Sequence, residues 1–350
     1  MLVAAPDKFR GTASAAEAAA AIARAGTARG WTVEPCPLAD GGEGLLEALA
    51  PLGGSVERAE VTGPLGTPVT ARWLRLGDRA VVEMAEASGL VLAGGAAGNR
   101  PLEATTRGTG ELVALAARAV GPGGTVVVGL GGSATTDGGV GAVEAVDRAG
   151  GLGGATLVGA CDVDVGFVAA ATVFGPQKGA DPAQVTVLEE RLRQVADAYR
   201  DRSGIDVADV AGAGAAGGMG GALVVLGGTL RSGYSLVAEL TGLDRRLAGA
   251  DLVVTGEGSL DATSFSGKAV GGVLGDAARH RVPALVVAGR ATVEGTRLAT
   301  ATGARVVSLT ERFGEGAALG GTVACIEEAV GTWLDGGGPG VAGRPPAPPR

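Results

Sequence analysis

The sequence predicts an α/β protein with a parallel sheet and an inserted second domain, and three observations carry that expectation. At 350 residues the chain is long enough for two domains or one large one. Short β-branched runs alternate with alanine-rich helical stretches, the pattern of parallel α/β architecture. One region, between about 62 and 82, breaks that alternation. There "TGPLGTPVTARWLRLGDRAVV" spells a turn, an alternating strand, a Gly-Asp turn and a second strand, which together read as an antiparallel β-hairpin.

Strands are expected at 2–6, 80–85, 125–130, 157–161, 251–256, 283–289 and 305–310, each a short run rich in Val, Leu or Ala. Helices are expected at 14–29, 44–50, 109–119, 183–202, 267–281 and 317–334. The first opens at "TASAAE", where Ser14 and Glu17 have the spacing of a capping box. The tail 335–350, "DGGGPGVAGRPPAPPR", has almost nothing to bury and is expected to be disordered. No repeat of 20 to 50 residues is apparent.

Composition removes several classes of function. With 46% apolar residues the bulk of the chain is expected to fold, and a net charge of −8 argues against a nucleic-acid or anionic-membrane surface. No run of 18 apolar residues occurs, so no span is expected, and "MLVAAPDKFR" reaches Pro6 and Asp7 before any apolar run has signal length. Cys36, Cys161 and Cys325 lie far apart with no Cys-x-x-Cys spacing, and read as reduced thiols of a cytoplasmic protein. The single histidine, His280, lies in "AARHRVP" beside two arginines, a surface or helix-end position. Ser-His-Asp, Cys-His and His-rich metal chemistry are therefore not expected.

What remains is carboxylate, lysine and glycine chemistry. The chain has only three lysines, Lys8, Lys178 and Lys268, each near glycine, while its other cations are arginine. A lysine is a compact point charge suited to a phosphate oxygen, whereas arginine is a rigid planar fork. Acids cluster among glycines after apolar runs: Asp40 and Glu43 in "ADGGEG", Asp137 in "ATTDGG", Asp162 and Asp164 in "ACDVDVG", Glu257 and Asp261 in "TGEGSLD". In an open α/β sheet such positions face the ligand crevice beyond the carboxyl ends of strands. The Walker loop is absent, because Ala262 stands where its first glycine belongs and Ala269 follows Gly267-Lys268. The set matches phosphoryl transfer, in which backbone amides and Lys hold phosphates, carboxylates hold hydrated Mg²⁺, and an Asp takes the proton of the attacking hydroxyl.

The motifs "APDKFRGTASA", "PLADGGEG", "VTGPLG", "GTGEL", "GLGGSATTDGG", "CDVD", "FGPQKGA", "GAGAAGGMGGAL" and "DLVVTGEGSLD", followed by "SGK", resemble in that order the bacterial glycerate kinase family over roughly residues 2–333. The resemblance implies ATP- and Mg²⁺-dependent phosphorylation of D-glycerate, typically at the 2-hydroxyl. It also implies two α/β domains, one flavodoxin-like with a three-layer parallel sheet and built from both chain ends (1–61 and 241–334), the other inserted (62–240), with the site in the cleft. By motif, Asp40, Asp137 and Lys178 are the catalytic candidates. Lys8, Arg10, Ser133, Lys268, Gly131, Gly132, Gly217 and Gly218 are candidates for holding substrate or phosphate, and Asp162, Glu257 and Asp261 for metal. Either Asp40 or Asp137 is the expected base, and the enzyme is expected to be a monomer or homodimer.

The sequence departs from the family pattern after "CDVD", where "VGFVAAATVFGPQKGA" replaces an Asn-Pro-Leu-x-Gly-like stretch, between Gly150 and Gly159, which is short, and at Ser266, where His is common. Two other readings are carried. In one, Gly129-x-Gly131-x-x-Ala134 with Asp147 forms an NAD site of an oxidoreductase. In the other, the fold is retained in a non-catalytic sugar-acid regulator.

Overall fold

A computed structural model describes residues 1–337; most of the tail expected to be disordered, from 338 on, lies outside the described residues. The chain forms two compact units, one made of Met1–Ala39, Glu47–Leu49 and the chain from Val237 onward, the other of Asp40–Leu46 and Ala50–Leu236. The strands are β1 (Leu2–Ala4), β2 (Val33–Pro35), β3 (Ser55–Thr62), β4 (Pro68–Leu76), β5 (Arg79–Glu83), β6 (Thr125–Gly129), β7 (Thr156–Ala160), β8 (Thr229–Arg231), β9 (Leu252–Leu260), β10 (Ala284–Ala291) and β11 (Arg305–Ser308).

In the first unit a parallel sheet has the order β11-β10-β9-β1-β2. Parallel strands are covered on both faces and so read as unbroken apolar runs. Leu2, Val3 and Ala4 of β1 and Leu252, Val253 and Val254 of β9 are accordingly fully buried. From β1 the chain winds to β2 on one side, and from β9 to β10 and β11 on the other. The winding reverses between β1 and β9, the switch point beyond whose carboxyl ends open α/β sheets bind ligands. The helix Ala15–Thr27 begins at a complete capping box: Ser14 Oγ accepts Glu17 N at 3.2 Å and Glu17 Oε2 accepts Ser14 N at 2.9 Å. It packs against the C-terminal helix Thr322–Asp335, with Arg24–Glu327 and Arg29–Asp335 ion pairs along the seam. The helix expected at 317–334 is two, Glu315–Gly320 and Thr322–Asp335, because Gly321 leaves the helical region at φ −139°, ψ 37°.

The second unit carries a mixed sheet, β3-β4-β5-β6-β7-β8, antiparallel from β3 to β5 and parallel from β5 to β8. The β4–β5 pair is the expected hairpin, with Leu76 opposite Arg79 across the Gly77-Asp78 turn. β3 is an additional strand on its outer edge, so this unit takes up the chain before residue 62, the boundary expected from the sequence. As an edge strand β3 buries only Val61, so its sequence shows almost no apolar stripe. The helix Pro182–Ser203 starts at a second capping box, Asp181 with Gln184, and Pro182 fills its first position, where no N–H is needed. Each unit has its own apolar cluster, one around Leu112, Leu157, Phe167 and Leu188, the other around Leu2, Ile22, Leu285 and Ile326.

Candidate active site

In the first unit, β1 and β9 place Asp7, Lys8 and Glu257 at the switch point. The chain after β1 continues along β9: Ala5 N donates to Val254 O at 2.8 Å and Asp7 N to Gly256 O at 2.9 Å. Glu257 stands between two glycines, and a Cβ at Gly256 would lie 2.1 Å from Val287 O, so no side chain fits there. Glu257 Oε1 is buried with no hydrogen-bond partner. Burial pushes its carboxyl up to about 7, with nearby Asp7 adding to the rise and Ser264 and Lys268 opposing it. Asp7 is itself buried and accepts the Lys8 N–H at 2.7 Å. Arg10 is exposed on the same loop.

Lys268 sits at the N-cap of helix Ala269–His280, its Nζ donating to Thr263 Oγ1 at 2.9 Å. Asp261, a metal candidate from the sequence, is occupied otherwise: its Oδ1 accepts the N–H and the hydroxyl of Thr263, both at 2.7 Å, and caps the turn Ala262–Phe265. Those bonds hold its carboxyl below the ordinary range.

In the second unit the loops after β6, β7 and β8 converge with the "ADGGEG" loop. A Cβ at Gly131 would lie 2.6 Å from Gly42 Cα, so the two loops touch through backbone alone. Asp40 Oδ1 accepts Gly42 N at 3.3 Å. Glu83, at the end of β5, anchors the far end of that loop by accepting Leu46 N at 2.6 Å and Gly44 N at 3.2 Å. Asp162 follows β7 and holds the turn after β8, accepting Gly233 N at 2.9 Å and Tyr234 N at 3.3 Å. Its carboxyl is pushed up to about 6, chiefly by burial and further by nearby Asp40.

The "GGSATTDGG" loop, with Gly131, Gly132 and buried Ser133, is backed by the Ala215–Val225 segment. There Ala216, Gly217 and Gly218 are successively left-handed, at φ 54°, 77° and 97°. A Cβ at Gly217 would lie 2.0 Å from Thr135 O. Beneath this loop Lys178 is 3% exposed and donates from Nζ to Thr135 O at 2.6 Å. Burial pulls its ammonium down to about 7, while the negative charge of Asp137 supports it. Asp137 accepts four donors: Thr106 N and Thr106 Oγ1 at 2.9 Å each, Gly139 N at 3.0 Å and Gly141 N at 3.4 Å. Burial raises its carboxyl and those four bonds oppose the rise.

Lys178 and Asp137 thus come together beneath the glycine loop, and Asp40 comes beside Asp162. No three His, Cys, Asp or Glu side chains group as a metal-binding set among the described residues. Sequence reasoning missed Asp7, Asn99 and Thr106 as site residues. Asp7 lies beside Lys8 in a motif already singled out, whereas Asn99 and Thr106 reach the site only through the fold. His280 is a surface group at 2.7 Å from Asp244, as expected. The NAD reading fails on geometry. The helix after β6 starts at Val140 instead of opening directly from Gly129–Ala134, and Asp147 is held in a bidentate pair with Arg202 at 2.6 and 2.8 Å.

Two α/β units with cationic and acidic side chains gathered at the carboxyl ends of parallel strands define a phosphotransferase. The chain belongs to the glycerate kinase family, whose match covers residues 2–149 and 147–328. It is 40% identical over 332 residues to the glycerate 2-kinase of Escherichia coli strain K12, spanning 83% of this chain and 85% of that one. It is 39% identical over 325 residues to the glycerate kinase of Bacillus subtilis strain 168, spanning 82% and 84%. A solved structure from Salmonella typhimurium LT2, assigned as a glycerate kinase 2, superposes with a TM-score of 0.78 at 35% identity, covering 96% of this chain and 98% of that one.

Proposed function

We propose that the protein transfers the γ-phosphoryl group of ATP to the 2-hydroxyl of D-glycerate, giving 2-phosphoglycerate and ADP, with Mg²⁺ as cofactor. The observation that carries this reading is a buried ammonium, Lys178, fixed beneath a glycine loop in a chain of this family. Phosphoryl transfer asks little covalent chemistry of a protein; positioning and charge stabilisation do most of the work. The amides of the loop containing Gly131 and Gly132 are suited to phosphate oxygens, and Lys178 lends this loop positive charge from below; Gly217 and Gly218, whose N–H groups donate to Gly214 O, support it by close backbone packing. Lys8, Arg10 and Lys268 supply cations for the substrate carboxylate and the nucleotide.

The hydroxyl oxygen forms its bond to the γ-phosphorus as the bond to the bridging oxygen breaks, and the hydroxyl proton passes to a carboxylate. Asp40 is the assigned base, because the four donors on Asp137 make that residue a clasp of its own loop. For Mg²⁺, the fit rests on Glu257: a buried, unpartnered carboxylate oxygen beside a second acid suits a hard cation that takes one or two carboxylates and otherwise keeps its water. When bound, the ion would neutralise charge on the phosphoryl oxygens. Asp162 and Asp261 are assigned to turn fixing, since their oxygens accept backbone N–H groups. The three cysteines are free thiols, compatible with a reducing cytoplasm.

Incubation of the purified protein with D-glycerate, ATP and Mg²⁺, read by phosphorus NMR with L-glycerate and metal-free controls, tests this. A 2-phosphoglycerate signal is expected. 3-Phosphoglycerate would reassign the hydroxyl, and no phosphorylated product from folded protein would overturn the reading.

A further inference from the structure

We propose that Asn99 is a positioning residue that holds Lys178 against the glycine loop; this rests on the reading of Lys178 as a charge-stabilising group in phosphoryl transfer. Asn99 lies just after the short turn of helix Gly95–Gly98, far from both partners in sequence, and only 9% of it is exposed. Both hydrogens of its amide are used. Nδ2 donates to Ala134 O at 2.9 Å and to Lys178 O at 2.8 Å, joining the glycine loop to the turn Pro176–Lys178.

The Lys178 ammonium then reaches Thr135 O, the residue after Ala134, at 2.6 Å. Lys178 is therefore tied to one dipeptide twice, through its main chain by way of Asn99 and directly through its side chain. The approach is close: Gly179 has φ +89°, and a Cβ there would lie 2.2 Å from Ala96 O, so the lysine turn rests on the backbone that carries Asn99.

The other end of the amide points to the same role. Asn99 Oδ1 is buried without a partner, and an unmet buried acceptor costs on the order of 1–3 kcal/mol. The position tolerates that cost because its two donors are what it supplies. Aspartate has no donor for the two carbonyls, and alanine would leave both unpaired. Other groups bearing on the ammonium are few. Asp137 is the charged residue acting on it, Phe174 lies with its ring centroid 5.9 Å from Nζ, and the helices Gly95–Gly98 and Ala170–Phe174 packed against its turn carry no charged side chain.

Because the chain has three lysines, protein made with ¹³C-labelled lysine yields three side-chain signals. In the wild type one signal, assigned through Lys178→Met, is expected to titrate well below the ordinary lysine range. In Asn99→Ala, and less so in Asn99→Ser, which keeps one donor, that midpoint should move up toward the ordinary lysine range as the ammonium gains water. A midpoint unmoved in both folded variants overturns the proposal whatever the activity.

Kinetics separate this from the reading beneath it. Asn99→Ala should lower kcat at least about 10-fold with little change in either KM, and should have no further effect in a Lys178→Met background. A moved midpoint with unchanged kcat would support Asn99 as the anchor of Lys178 while removing Lys178 from catalysis. Equal losses with and without Lys178 would make Asn99 merely structural and overturn the proposal.

Discussion

Asp137 accepts both the backbone N–H and the hydroxyl of Thr106, each at 2.9 Å, and the same hydroxyl accepts Ala142 N at 3.0 Å. One carboxylate and one hydroxyl thereby join the start of helix Arg107–Val120 to the start of helix Val140–Arg148. An acid whose oxygens are engaged this fully is a clasp with little free lone-pair capacity for a substrate hydroxyl.

The first prediction follows from that clasp. Thr106→Val strands the Ala142 N–H and removes one donor from Asp137, so it should cost about 1–3 kcal/mol. Asp137→Ala should cost more, since four donors lose their acceptor. Urea midpoints measure both. Asp137→Ala with an unchanged midpoint and a large loss of kcat would return Asp137 to the role of base.

Lys178→Met should lower kcat by at least about 10²-fold, the scale of losing one transition-state charge contact. It should also change stability against pH. A lysine ordinarily holds its proton to 10.5, and buried Lys178 only to about 7. Between those values the unfolded chain binds the extra proton, so this group makes stability rise with pH; its penalty is full below 7 and gone above 10.5. The variant should therefore gain on the wild type most near pH 6, with the gain shrinking toward pH 10. Parallel urea titrations with no such convergence would contradict the burial of the ammonium.

Glu257→Gln tests the other unit. The folded carboxyl keeps its proton to about 7 against an ordinary 4.5, so here the folded state binds the extra proton and stability falls as pH rises through that window. In metal-free buffer the variant should melt higher than the wild type at pH 8, and the difference should vanish near pH 4.5. Millimolar Mg²⁺ should raise the melting temperature of the wild type and leave the variant unmoved. An equal Mg²⁺ response in both would place the ion elsewhere.

Gly217→Ala combines a left-handed backbone at φ +77° with a Cβ 2.0 Å from Thr135 O. The loop that Lys178 contacts must then shift, so stability should fall by more than about 1 kcal/mol and activity should fall with it. Full activity and an unchanged melting temperature would show that this backbone approach is not required.

Much of the frame was legible from residues alone. Strands β1, β5, β6, β7, β9 and β10 announce themselves as buried apolar runs, because a strand covered on both faces has no polar side to obscure it, and the edge strand β11 is legible from its Val306-Val307 pair. β2 and β8 are three-residue edge strands with no buried side chain, and β3 is an edge strand with one. The Ala215–Val225 segment reads as glycine-rich loop because its left-handed stretch has no sequence period.

The sequence by itself determined the family, through the order of its motifs, and its three lysines, acids set among glycines and single histidine match phosphoryl transfer. Tertiary structure alone decided which donors each acid meets. The Asp137 carboxylate meets four N–H and O–H groups while Glu257 Oε1 meets none, and nothing in the residues around either acid announces the difference. Partners of that kind come from residues distant in the chain, Thr106 for Asp137 and Asn99 for Lys178, and no local pattern encodes them.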